Sequence, residues 1–162
     1  MIGIRSATVA DAPRCAEIYA PFVTDSWVSF ELDAPGPEEM ATRIARALQS
    51  HDWLVAEADG AVLGYAYGSE HRTRAAYRTS CDVAVYVDPG HKRLGIGRAL
   101  YEALLPRLKA REIHAAFAGI ALPNEASIAL HRAVGFELVG TYREVGWKMG
   151  GWRDVAWFQR LL

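Results

Sequence analysis

The segment Val85-Tyr86-Val87-Asp88-Pro89-Gly90-His91-Lys92-Arg93-Leu94-Gly95-Ile96-Gly97-Arg98-Ala99-Leu100 constrains the fold of this chain more tightly than any other. A β-rich run from Asp82 to Val87 stops at Asp88-Pro89-Gly90, a strong turn signal. A basic loop with two closely spaced glycines follows, His91 to Gly97. From Arg98 to Ala110, Leu100, Leu104, Leu105 and Leu108 recur at helical spacing. A strand, a tight loop and a helix in direct succession predict an α/β chain. Exposed N–H groups at a helix N-terminus attract phosphate, and the helix dipole adds to the attraction. Glycines allow close backbone approach, and Lys92, Arg93 and Arg98 bring positive charge. The same residues also fit an ordinary strand-to-helix turn with solvated basic side chains. Two other phosphate loops fit worse. A Walker loop needs four residues between its glycines and then Lys-Ser/Thr, whereas Ile96 alone separates Gly95 from Gly97. A dinucleotide fingerprint needs a small residue where Leu100 stands.

The flanking sequence extends the alternation. Ile2 to Ser6 reads as a first strand, and Thr8 with Asp11 as a capping-box-like start for a helix over Pro13 to Tyr19. Pro37 suits the first turn of a second helix, with Met40, Ile44, Ala47 and Leu48 on one face. Trp53 to Ala58 and Ala61 to Tyr67 flank Asp59-Gly60, a tight-hairpin signal. Ser69 to Thr79 is a polar segment carrying His71, Arg72, Arg74 and Arg78. Pro106 is expected to kink the end of the third helix. His114 to Ala121 is a further strand. Pro123-Asn124 opens a helix that stops at Gly135, a good left-handed cap. Phe136 to Tyr142 and Val155 to Leu162 are the closing strands. This order predicts an α/β sandwich with a mixed sheet. No linker divides the chain, so residues 1–162 are expected to form one domain.

Composition narrows the function classes. The 162 residues carry a formal net charge of -1, which offers nothing to a polyanion such as nucleic acid. No apolar run approaches the roughly 18 residues of a membrane span, and Met1 to Arg5 lacks the layout of a signal peptide. Cys15 and Cys81 make neither a disulfide framework nor a metal-ligand spacing. They read as free thiols of a cytoplasmic protein, and no metal is expected.

Four segments in order carry a family resemblance. Lys92-Arg93-Leu94-Gly95-Ile96-Gly97 resembles the pyrophosphate-binding Gln/Arg-x-x-Gly-x-Gly/Ala loop of the GNAT acetyltransferase superfamily. Asn124 through His131-Arg132-Ala133-Val134-Gly135-Phe136 is similar to its second signature, Asn-x-x-Ala-x-x-Leu-Tyr-x-x-x-Gly-Phe. The resemblance is closer to the phosphinothricin and methionine sulfoximine acetyltransferases. It extends to Val85-Tyr86-Val87, Leu122-Pro123-Asn124, Leu130-His131 and the tail Gly146-Trp147-Lys148-Met149-Gly150-Gly151-Trp152-Arg153-Asp154. It implies a mixed β-sheet with a splayed parallel strand pair and helices on both faces. It also implies acetyl transfer from acetyl-CoA to the amine of a small amino-acid-like molecule, in a homodimer.

The resemblance assigns roles residue by residue. The pantetheine arm of acetyl-CoA would lie between the Asp82–Val87 and His114–Ala121 strands, along Val85, Tyr86 and Val87. Its pyrophosphate would sit on the loop from Lys92 and Arg93 through Leu94, Gly95, Ile96 and Gly97 to Arg98, with Asn124 at the pantetheine or phosphate end. Arg72 and Arg74 fall where the family holds the substrate's acidic groups, Tyr77 borders that site, and Phe30 walls it. Lys92 stands where Gln or Arg is usual, Asp82 where Glu is usual, and Ser29 where Asn is usual. The attacking amine must be neutral, and for an α-amine of pKa near 8 deprotonation at pH 7 costs only about 1.4 kcal/mol. A modest base suffices, and Asp82 is the candidate, acting directly or through water. Its plainer reading is a strand-end carboxylate accepting backbone bonds. His131 stands where many members carry a tyrosine acid. It would give the leaving thiolate a proton or hydrogen bond, or merely pack near the cofactor. A ping-pong route through Cys81 is disfavoured, because the adjacent carboxylate raises the thiol pKa and strand neighbours face opposite ways. The alternatives are a protein or peptide acetyltransferase, and a non-catalytic acyl-CoA sensor.

Overall fold

Asp59 and Gly60 turn the chain with φ of 51° and 79°, the two left-handed residues that a two-residue hairpin needs. They join β2 (Asp52–Ala58) to β3 (Ala61–Glu70) in the computed structural model, which describes residues 1–162. With β1 (Gly3–Ser6), β4 (Ser80–Val87), β5 (Ala115–Ala121), β6 (Glu137–Lys148) and β7 (Gly151–Leu161) they form one sheet, ordered β1-β2-β3-β4-β5-β7-β6. Only β4 and β5 run parallel.

Helices cover both faces, as expected. α1 (Ala12–Thr24) and α2 (Pro37–Ser50) pack a core with Trp53, Val55 and Tyr65. α3 (Ile96–Ala110) and α4 (Glu125–Ala133) cover the other face, where Leu100, Leu104 and Leu108 meet Cys81, Val83 and Ala116. α1 runs past the Tyr19 end that the sequence predicts. Pro21 costs it a backbone bond, but the buried Val23 carries its apolar stripe onward. α3 begins two residues before the predicted Arg98 and continues through Pro106 to the predicted end at Ala110, held by the buried Leu108.

The closing strands are longer than the sequence suggests. β6 and β7 form a hairpin joined at Met149 and Gly150, with φ of 51° and 73°. A register shift between Tyr142 and Gly146, where Glu144 has φ 54°, interrupts the two-residue alternation that would have marked them.

The parallel pair is zipped for only three residues, Ser80 to Ala115, Cys81 to Ala116 and Asp82 to Phe117. Beyond Asp82 the strands part. β4 stays paired to β3 as far as Val87, and β5 stays paired to β7 as far as Ala121. A V-shaped gap therefore opens inside an otherwise continuous sheet. Strand alternation sends Cys81 and Val83 into the α3 core and Asp82, Ala84 and Tyr86 toward the α1 and α2 face.

Candidate active site

Asp82 stands at the apex of the V, in the last rung before the strands part. It lines a cavity of about 470 Å³ with Val28, Phe30, Tyr67, Gly119 and Trp157. Burial there raises its carboxyl pKa, and a bond from His71 opposes the rise. His71 Nδ1 lies 2.6 Å from Asp82 Oδ1. Sequence reasoning left His71 among the charges of the polar segment. The signal it missed is positional: His71 follows β3 directly, and β3 pairs with β4 at Ser69–Asp82. Trp157 lines the cavity against Gly119, its partner on β5.

Past the apex, Val85, Tyr86 and Val87 leave one edge of β4 open to the gap. The chain then turns at Asp88, whose carboxylate accepts from Gly90 N at 2.8 Å and pairs with Arg14. Gly95 is the N-cap of α3 at φ 75°, and no side chain caps this helix. Its first backbone N–H groups are thus available to an anion. A Cβ on Gly95 would have nothing within 4 Å, so the approach is open. Lys92, Arg93, Leu94 and Arg98 are exposed around it, while Ile96 is buried and anchors the helix start. Gly97 packs on Leu130: a Cβ there would lie 3.0 Å from Leu130 Cδ2. An open strand edge leading to an uncapped, basic helix start fits a pantetheine arm and its pyrophosphate.

Asn124 lines the gap and caps α4, accepting from Ser127 N at 3.2 Å. Its side-chain N–H groups, unlike Oδ1, make no bond within the chain. His131 is 4% exposed at the floor of the same gap. Its Nδ1 donates to Ser127 O at 2.7 Å, so Nε2 accepts from the Tyr101 hydroxyl at 2.9 Å. Burial lowers its pKa and keeps the ring neutral. Cys81 is fully buried on the far face, and burial pushes its thiol up to about 12, which disarms it.

Phe30 walls the Asp82 cavity, but Arg72, Arg74 and Tyr77 do not line it. They line a neighbouring cavity of about 820 Å³ with Arg43, Arg46 and Arg78, and Tyr67 and Ser69 border both. Arg43 is held by Glu31 at 2.6 and 2.9 Å, whereas Arg46, Arg72, Arg74 and Arg78 have no carboxylate partner. The Phe30 loop is pinned by a residue that sequence reasoning noted only as part of a motif. Lys148 Nζ donates to Val23 O, Ser29 O and Glu31 O at 2.6, 2.7 and 2.8 Å. Gly146 lets Phe30 settle on the hairpin, since a Cβ there would lie 2.4 Å from the ring.

The sequence profile of the acetyltransferase (GNAT) family matches residues 13–136. The chain belongs to the GNAT family. A phosphinothricin N-acetyltransferase of Streptomyces viridochromogenes is 38% identical over 159 residues, covering 98% of this chain and 87% of its own length. An L-methionine sulfoximine/L-methionine sulfone acetyltransferase of Pseudomonas aeruginosa is 37% identical over 161 residues, covering 96% and 92%. The crystal structure of a phosphinothricin acetyltransferase from Sinorhizobium meliloti in complex with acetyl-CoA superposes with a TM-score of 0.95 at 38% identity. It covers 99% of this chain and 88% of the other. This GNAT protein is an acetyl-CoA-dependent N-acetyltransferase. No helix is long and apolar enough to cross a membrane.

Proposed function

We propose that this acetyltransferase moves an acetyl group directly to the amine of a small amino acid with an acidic or oxidised side chain, of the phosphinothricin, methionine sulfoximine or methionine sulfone type. The observation that carries the reading is the 470 Å³ cavity with Asp82 at the apex of the V, a volume suited to a single small molecule. Acetyl-CoA, when bound, supplies an activated acyl carbonyl. Backbone groups of Val85 and Val87 would align its pantetheine arm, Asn124 would meet the arm beyond them, and Lys92, Arg93 and the Gly95–Arg98 backbone would hold its phosphates. Asp82 drives removal of the amine's proton, directly or across one intervening group, water being the simplest. His131 lies at the sulfur end with both ring nitrogens engaged, by Ser127 O and the Tyr101 hydroxyl; it would hydrogen-bond the thiolate only by exchanging the Tyr101 bond, and otherwise packs beside the cofactor. Phe30 covers the substrate. Arg72 and Arg74, with Tyr77, would bond those acidic groups of the substrate that reach past the Tyr67–Ser69 border into the neighbouring cavity. The inert setting of Cys81 supports direct transfer over a ping-pong route.

The whole of residues 1–162 would act as one domain in a homodimer, for which the exposed Tyr142, Val145, Trp147, Met149 and Trp152 of the last hairpin supply apolar surface. Two buried free thiols suit the cytoplasm.

A panel of amino acids and analogues, read by release of free coenzyme A thiol, tests the substrate class. Each charge-assisted bond to a carboxylate contributes about 1.5–3 kcal/mol. Arg74→Ala should therefore raise KM roughly ten- to a hundredfold and leave acetyl-CoA affinity unchanged. A decarboxylated analogue should lose similar affinity in the wild type and little more in the variant. Equal acetylation of parent and decarboxylated amine by the wild type would reduce the arginines to surface charge and refute the amino-acid reading.

A further inference from the structure

The apex of the V holds a second titratable ring. His71 lies flat on Phe117, with centroids 4.5 Å apart and planes 18° apart, and Phe117 is the residue paired with Asp82 in the last rung. Tyr77 and Trp157 meet the ring edge-on at 5.9 and 6.3 Å. Three aromatic neighbours thus fix its plane, and the 2.6 Å bond to Asp82 fixes its rotation. An ionised carboxylate only accepts hydrogen bonds, so Nδ1 carries the hydrogen and Nε2 of the neutral ring is a bare acceptor. Nε2 has no partner within the chain. It is also not sealed in: buried side-chain nitrogens without partners occur only at Trp53, His91 and Trp157. Arg72 is the other charged group felt by Asp82. A ring with one nitrogen tied to a partly buried carboxylate and the other free is the arrangement of an oriented base. His71 is not part of the wall of the 470 Å³ cavity but stands directly behind it, against Asp82 and Trp157, which are.

We propose that Nε2 of His71 takes the proton of the substrate amine, with Asp82 orienting the ring and stabilising the imidazolium. This rests on the acetyl-transfer reading above and names the intervening group. An N–H bond of the substrate ammonium breaks and an Nε2–H bond forms. The electron pair stays on the amine nitrogen as the nucleophilic pair. The imidazolium charge faces the Asp82 carboxylate, and the ring afterwards gives its proton to water.

His71→Asn keeps a donor near the Nδ1 position but has no proton-accepting nitrogen. Its kcat should fall on the order of 10²-fold, with acetyl-CoA affinity by calorimetry and the thermal midpoint unchanged. On a β-fluorinated analogue, whose electron-withdrawn amine is already neutral at the assay pH, the defect should shrink to a few-fold. In the proton spectrum of the wild-type protein an imidazole N–H should resonate downfield and vanish in both His71→Asn and Asp82→Asn. Turnover within a few-fold of wild type on the ordinary amine, or an equal defect on the fluorinated one, would overturn the role of His71 alone. A wild type that acetylates no amine of the panel would overturn the substrate reading and this proposal with it.

Discussion

Lys148→Met removes a cation of which all three N–H groups are spent on backbone carbonyls. Lys148 is 6% exposed, and its partners are Val23 O, Ser29 O and Glu31 O. Methionine has similar length and leaves the three acceptors without a donor. A buried polar group left unpaired costs about 1–3 kcal/mol. Glu31 O is only partly buried, so water can replace one bond, and the lost desolvation cost of the ammonium offsets part of the rest. A net destabilisation of about 3–5 kcal/mol follows, in the range seen when one side of a buried charged contact is removed. At roughly 2–4 °C per kcal/mol for a chain of this size, the thermal midpoint should drop by about 6–20 °C. Urea unfolding should show a lower midpoint with an unchanged slope. The loop that carries Phe30 would lose its anchor, so KM for the amine should rise several-fold while acetyl-CoA affinity holds. Lys148→Arg keeps the charge but presents a flat fork to three converging carbonyls, and should fall between the two. A Lys148→Met protein within about 1 kcal/mol of wild type would show that water replaces the ammonium and that the pin is not structural.

Asp82→Asn should cut turnover on the order of 10²-fold with acetyl-CoA affinity little changed. The same substitution should raise stability at neutral pH. The folded protein holds the Asp82 carboxyl above its ordinary pKa, so folding favours the protonated form, and the ionised form weighs against the fold. The stability gap between variant and wild type should be full above the folded pKa and close as pH falls below the ordinary carboxylate range. Urea midpoints at several pH values measure it, and a gap that widens toward acid would reverse the sign argued here. Arg93 holds φ 65° without being glycine, a strained position costing about 1–2 kcal/mol. Arg93→Gly should therefore stabilise the fold by about 1 kcal/mol yet weaken acetyl-CoA binding about tenfold, the loss of one charge-assisted bond. Calorimetry with unchanged affinity would remove Arg93 from the phosphate site.

Much of the fold was legible because local chemistry and final structure agree. Asp59-Gly60 marks its own turn, Gly135 caps its helix at φ 89°, and Gly95 and Gly97 sit where the loop needs them. What was hidden depends on contacts distant in sequence. Met149 is not a turn former by propensity, so the β6–β7 hairpin declared itself only through its pairing. Whether Arg72 and Arg74 face the Asp82 cavity or its neighbour depends on how residues 71–79 fold back against α2, which no spacing records. The bond between His71 and Asp82 spans eleven positions; it exists because β3 and β4 are antiparallel neighbours and Phe117 offers a flat seat from a third strand. Lys148 reaches carbonyls more than a hundred positions earlier, and backbone acceptors leave no trace in the sequence.

The point where β4 and β5 stop pairing also works as a ruler. Its zero mark is the Asp82–Phe117 rung, and every distance in the gap is counted from there in strand residues of about 3.3 Å. Closing the zip by one rung would bring Val83 to the apex, and Val83 faces the α3 core. The next residue on the reactive face is Ala84, about 6–7 Å farther along. The chemistry can thus be retuned by exchanging side chains around a fixed origin, such as Val28 or Phe30, far more readily than by adding or deleting a residue in either strand. An insertion before Asp82 would leave the sheet able to form and send the carboxylate into the wrong layer.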